Sequence, residues 1–226
     1  MKNAGDNFLL AVADGMGGHA CGEVASNTII EVFEIHGDTI FNFFSKTDLE
    51  SALNHILLKG LERLKEIVLK KQSCYGMGTT LAVSVINEGK LFISHIGDSR
   101  VYHFRDGKVL YKTKDDTVAQ NMVDRGLLSE KELKYDTRSH ILTKCIGGFD
   151  FYNIKLELEY ASDLKIGDSV LLCSDGLTDM VEEMDIFWVI ADKNRHVPEK
   201  VDKLLDMALA NGGHDNVSII LAECKE

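Results

Sequence analysis

Residues 79 to 96 read Thr79-Thr80-Leu81-Ala82-Val83-Ser84-Val85-Ile86-Asn87-Glu88-Gly89-Lys90-Leu91-Phe92-Ile93-Ser94-His95-Ile96. Two apolar, β-branched runs face each other across Asn87-Glu88-Gly89-Lys90, so the pattern predicts antiparallel strands over Thr79 to Ile86 and Leu91 to Ile96. A second hairpin follows at once, with Val101 to Phe104 and Val109 to Tyr111 joined around Asp106-Gly107. Consecutive hairpins separate this chain from doubly wound folds, in which parallel strands alternate with crossover helices. The expected class is therefore α+β with mainly antiparallel sheets.

Outward from the hairpins, helical spacing appears on both sides. Leu49, Ala52, Leu53, Ile56, Leu57, Leu61, Leu64, Ile67 and Val68 recur by threes and fours from Asp48, which predicts a long amphipathic helix. Val24, Ala25, Thr28, Ile29, Val32 and Phe33 mark another helical face, a third helix is expected over Val181 to Ala191, and a fourth from Pro198 to Gly212-Gly213. Further strands are expected at residues 8–13, 154–158, 169–173 and 216–222. Residues 113–150 are charge-rich, with short helices at Val118 to Met122 and Ser129 to Leu133, and read as a flap-like insertion. A single proline and the absence of Gly/Ser-rich linkers favour one domain over residues 1–226.

Four strand boundaries carry an aspartate: Asp14 before Gly15, Asp98 after Gly97, Asp175 before Gly176, and Asp215 before Asn216. Any one of them reads as turn chemistry. Together they suggest an oxygen-only cluster suited to a hard cation, magnesium or manganese rather than zinc or copper. Two such ions about 3.5–4 Å apart can activate water for phosphoryl transfer.

The net charge of −11 repels nucleic-acid phosphates, and no basic stripe opposes it. Cys21, Cys74, Cys145, Cys173 and Cys224 are widely spaced with no Cys-x-x-Cys pair, so reduced, buried thiols are expected. No window reaches the length of a membrane span, and a soluble cytoplasmic protein, monomeric by default and without a nucleic-acid or membrane partner, is expected.

Val12-Ala13-Asp14-Gly15-Met16-Gly17-Gly18-His19, Gly78-Thr79-Thr80, Gly97-Asp98-Ser99-Arg100, Ser174-Asp175-Gly176-Leu177 and Gly213-His214-Asp215-Asn216-Val217-Ser218 together resemble the metal-dependent type 2C protein serine/threonine phosphatases in their bacterial form. The resemblance implies a four-layer αββα sandwich, two central sheets flanked by helices, with a flap. It implies hydrolysis of phosphoserine and phosphothreonine on proteins by a metal-activated water, opposing a serine/threonine kinase. By the same resemblance Asp14 bridges two Mn²⁺ or Mg²⁺ ions, the Gly15 carbonyl joins one of them, Asp175 and Asp215 complete the other, and Asp98 helps hold a possible third. Thr79, Thr80, Arg100 and Asn216 are expected to be structural, and His19 a loop histidine rather than a general acid. The family's opening strand, with an Arg-x-x-Asn-Glu/Gln-Asp motif, is not among these residues, and Arg100, Arg125, Arg138 and Lys144 read as surface or flap charges rather than substitutes for its arginine. Two alternatives stand beside the enzyme reading: a phosphatase-like regulatory or binding module, and a partner-switching phosphatase dedicated to one regulatory phosphoprotein.

Overall fold

The computed structural model describes residues 1–16, 21–149 and 153–225. The chain opens with a hairpin of β1 (Lys2–Ala4) and β2 (Asn7–Val12), then β3 (Gly15–Met16) and the helices α1 (Gly22–His36) and α2 (Lys46–Lys70). Five strands follow: β4 (Gly78–Thr79), β5 (Leu81–Asn87), β6 (Lys90–Ile96), β7 (Arg100–Arg105) and β8 (Lys108–Lys112). The charge-rich excursion holds α3 (Val118–Asp124) and α4 (Glu130–Leu133), and the chain returns through β9 (Ile146–Gly147), β10 (Tyr160–Asp163) and β11 (Ser169–Cys173). It ends with α5 (Asp175–Thr178), α6 (Glu183–Ala191), α7 (Val197–Ala210) and β12 (Ile219–Glu223).

Two antiparallel sheets form the centre, one ordered β1-β2-β5-β6-β10 and the other β12-β11-β7-β8. A third, small sheet, β3-β4-β9, caps the end where the aspartates lie. The two hairpins predicted from sequence are present, and both turns put their two central residues at positive φ: Glu88 and Gly89, then Asp106 and Gly107. That is the turn whose twist matches paired strands.

Period-two alternation explains why the central strands are apolar almost throughout. Along β2, Leu9 and Ala11 face a core shared with α1 and α2, while Leu10 and Val12 face the other sheet. Along β11, Val170 and Leu172 face the inter-sheet core, and Leu171 and Cys173 face α6 and α7. Three apolar layers between four layers of structure give the expected αββα sandwich.

The structure corrects several expectations. Residues 154–158 are not a strand: the backbone of Leu156 is held by the Asn54 side chain (Nδ2 to O 2.7 Å, N to Oδ1 2.9 Å), and Leu158 N donates to Glu50 Oε2 at 3.0 Å. The alternating Ile154, Leu156 and Leu158 pack on α2, and the ladder strand is β10 instead. An unexpected edge strand, β1, precedes β2. Cys21 and Cys74 form a disulfide rather than two thiols, and Cys145 and Cys224 are only half-buried. No helix among the described residues is long and apolar enough to cross a membrane.

Candidate metal centre

Asp14 stands where β2 leaves the five-stranded sheet, and two hydroxyl groups and a backbone N–H hold it there. Asp14 N donates to Thr80 Oγ1 at 3.0 Å, while Asp14 O accepts from Thr79 Oγ1 and Thr80 N, each at 2.8 Å. Thr80 Oγ1 also bonds Ser99 Oγ at 2.7 Å, joining the Asp14 turn to the Asp98 turn through a pair that is fully buried. Thr79 and Thr80 are thus structural, as expected from sequence. Gly15 sits against the start of α1 so closely that a Cβ on it would lie 2.1 Å from Gly22 O. Only glycine permits that approach of backbone to backbone.

Asp98 follows Gly97, whose φ of 100° gives the turn its direction. The excursion's first residues brace this turn from outside: Asp116 N donates to Gly97 O at 2.8 Å and Gly97 N to Asp116 Oδ2 at 3.1 Å. Arg100 forks onto Asp115, with Nε to Oδ1 and Nη2 to Oδ2 both at 2.7 Å. Arg100 is therefore a half-buried tie between β7 and the excursion rather than a free surface charge. Lys144 is paired with Asp116 at 2.7 Å, and Arg138 with Asp136 at 2.6 Å.

Asp175 opens α5 directly after β11, and Asp215 precedes β12 on the neighbouring strand. Ser174 stitches the two loops together: its N donates to Ser218 O at 3.1 Å, its Oγ to Asn216 O at 3.2 Å, and it receives Ser218 N at 3.1 Å. Asn216 serves the turn, its N donating to Asp215 Oδ1 at 2.7 Å.

The carboxylates are close enough to feel one another. Burial, then the charge of Asp175 and next that of Asp215, pushes the Asp14 carboxyl up to about 7. Burial, followed by the charges of Asp175 and Asp115, pushes Asp98 up to about 7 as well. Asp14 Oδ2 and Asp175 Oδ1 are buried and have no hydrogen-bond partner among the described residues. Buried acceptors without donors, crowded by like charge, are what a bound cation resolves, so this donor set fits a divalent metal. Asp215 is exposed, and its charge is felt at Asp14.

Two residues near this cluster went unread in the sequence. Asp179 lies one helical turn after Asp175, its N donating to Asp175 O at 2.8 Å, and the spacing of four was the available signal. His140, from the excursion, carried no signal in sequence; its ring, Asp175 and Asp179 each offer a ligand atom, all within 4.8 Å of one another. His19 falls outside the described residues.

The model of the family described as Protein phosphatase 2C matches residues 1–211. The serine/threonine protein phosphatase PstP of Mycobacterium tuberculosis is 35% identical over 215 residues, which is 95% of this chain and 40% of that protein. The chain thus spans less than half the length of that relative. The serine/threonine phosphatase stp of Listeria monocytogenes is 30% identical over 226 residues, covering 98% of this chain and 86% of the relative. A crystal structure of the catalytic domain of PstP in complex with two manganese ions superposes with a TM-score of 0.81 at 34% identity, over 96% of this chain and 88% of that one.

Proposed function

This chain belongs to the protein phosphatase 2C family, and on that premise we propose that it is a metal-dependent protein serine/threonine phosphatase. It hydrolyses phosphoserine and phosphothreonine on proteins. The observation that carries the reading is the pair of buried, donorless oxygens on Asp14 and Asp175 at the meeting point of three loops.

Asp14, Asp175, Asp215 and the Gly15 carbonyl would hold two Mn²⁺ or Mg²⁺ ions, with Asp98 helping to hold a third. When bound, the ions supply an acidified water as nucleophile and positive charge against the phosphoryl oxygens. The protein's own residues fix where that can occur. Thr79 and Thr80 orient Asp14, the Ser99 link ties the Asp98 turn to it, and Ser174 joins the loops that carry Asp175 and Asp215. The half-burial of Asp14 limits competing water, which strengthens charge interactions at the site.

The proposal extends to one phosphatase domain over residues 1–226 with a flap at 113–150, acting as a monomer on phosphoproteins made by a serine/threonine kinase. It includes a cytoplasmic location, against which one observation stands: the Cys21–Cys74 bond, since reducing compartments disfavour disulfides. Counting alkylatable thiols in protein taken directly from cells decides that point. For the activity, manganese-dependent hydrolysis of an aryl phosphate and of a phosphothreonine peptide is compared between wild type and Asp175→Asn. Loss of a ligand lowers turnover by orders of magnitude. Equal rates in the two proteins overturn the proposal.

A further inference from the structure

A cleft of about 400 Å³ opens beside Asp98 and Asp175, between the excursion and the loop from α5 to α6. Its far wall carries three carboxylates in close succession, Asp179, Glu182 and Glu183, and Glu130 faces the same space from α4. Each of the three already has a basic partner from elsewhere in the chain. Asp179 Oδ2 is 3.5 Å from His140 Nδ1, Glu182 Oε1 pairs with Lys134 Nζ, and Glu183 Oε2 is 2.5 Å from Lys112 Nζ. His140 and Lys134 come from the excursion, so two of these pairs span the cleft mouth.

The pairs are all at least one-third exposed, with side-chain accessibilities from 35% to 64%. Exposed pairs of this kind contribute little each and exchange readily for an equivalent partner. The four carboxylates outnumber the basic groups that face them, so the wall stays acidic with those partners in place. The net charge of the whole chain, −11, has the same sign.

We propose that Asp179, Glu182 and Glu183 form a subsite for an arginine or lysine flanking the phosphorylated residue of a protein substrate, and that Lys134 and His140 occupy it when substrate is absent. The inference rests on the phosphatase reading for its substrate, and on the cleft for its chemistry. The excursion's cations stand where a substrate's cation would sit, so basic substrates open the cleft by exchange while acidic ones meet unreduced repulsion. Glu182 and Glu183 are then specificity-determining residues.

The test compares two phosphothreonine peptides of equal length, one with arginines and one with glutamates at the flanking positions, on the manganese-loaded full chain. The wild type prefers the arginine peptide by about fivefold in kcat/KM, the size of one exposed ion pair (about 1 kcal/mol at 1.4 kcal/mol per tenfold). Glu182→Gln with Glu183→Gln brings the ratio close to one, and Lys134→Gln raises it above wild type by removing the competing cation. Because the ratio is taken within one protein, altered folding or metal occupancy cancels. Fluorescence anisotropy of the same labelled peptides in metal-free buffer gives a second readout, with the arginine peptide binding more tightly and the difference lost in the double variant. A ratio near one in wild type, or a preference unchanged by the double variant, overturns the subsite. If neither peptide is hydrolysed, the phosphatase reading fails, while the anisotropy comparison still decides the subsite.

Discussion

Gly15→Ala isolates the contact that positions the Asp14 turn. The added Cβ would lie 2.1 Å from Gly22 O, 2.3 Å from Gly22 C and 2.9 Å from Glu23 N. The first distance is about 1 Å shorter than the roughly 3.3 Å of close carbon–oxygen contacts, so β3 and the start of α1 must part by about that much. All three atoms are backbone, and no rotamer change can relieve them. Overpacking costs typically about 1–3 kcal/mol, and a backbone clash on both sides places this change at the upper end, ~3 kcal/mol. For a chain of this size 1 kcal/mol moves Tm by about 2–4 °C, so the expected loss is about 6–12 °C by differential scanning fluorimetry in EDTA. The same displacement moves the Gly15 carbonyl, and Mn²⁺ titration should show weaker binding. Gly126→Ala is the control, since its φ is +70° but nothing lies within 4 Å of its Cβ; only backbone strain of about 1–2 kcal/mol remains. A Gly15→Ala protein that melts within a degree of wild type and binds Mn²⁺ normally would refute the close-approach reasoning.

The remaining predictions concern charge, hydroxyls and the disulfide. Asp98 is raised from 3.8 to about 7 in the fold, so the metal-free protein is more stable below the unfolded value and loses stability as pH rises through the folded one. At 1.36 kcal/mol per pH unit the loss is ~4 kcal/mol; Asp98→Asn should raise the Tm of the EDTA-treated protein above neutral pH, and an unchanged pH–Tm curve in that variant sinks the assignment. Thr80→Val leaves the buried Ser99 hydroxyl and the Asp14 N–H without their partner, which costs about 1–3 kcal/mol per orphaned group, and chemical denaturation should show it without a change in m-value. Cys74→Ser opens a bond between residues 53 apart in sequence, for which the loop-entropy model gives about 4 kcal/mol; equal midpoints for wild type with and without reductant would contradict the bond.

Much of this architecture was legible because its central strands are buried on both faces and separated by turns with unmistakable chemistry. Asn87-Glu88-Gly89-Lys90 and Asp106-Gly107 locate their hairpins to within a residue. The same rule misreads residues 154–158, where Ile154, Leu156 and Leu158 alternate as a strand would but take their hydrogen bonds from Asn54 and Glu50. Periodicity reports which side chains are buried, not which neighbour satisfies the backbone. β1 was invisible for the opposite reason, since Lys2-Asn3-Ala4 has no apolar pattern and pairs only because the turn at Gly5 returns it to β2. At the site, the four aspartates could be read because each stands in a turn at the boundary of an apolar run. Asp115 and His140 could not, because they arrive through an excursion whose path no local pattern fixes, and a disulfide across 53 residues leaves no spacing to read.

The central claim is that Asp14 and Asp175 together hold divalent metal, and isothermal titration with Mn²⁺ tests it most directly. The account predicts at least two sites per chain in wild type and the loss of tight binding in both Asp14→Asn and Asp175→Asn, with each variant more stable than wild type in EDTA because two crowded carboxylates have become one. Wild-type stoichiometry and affinity in either variant would contradict it.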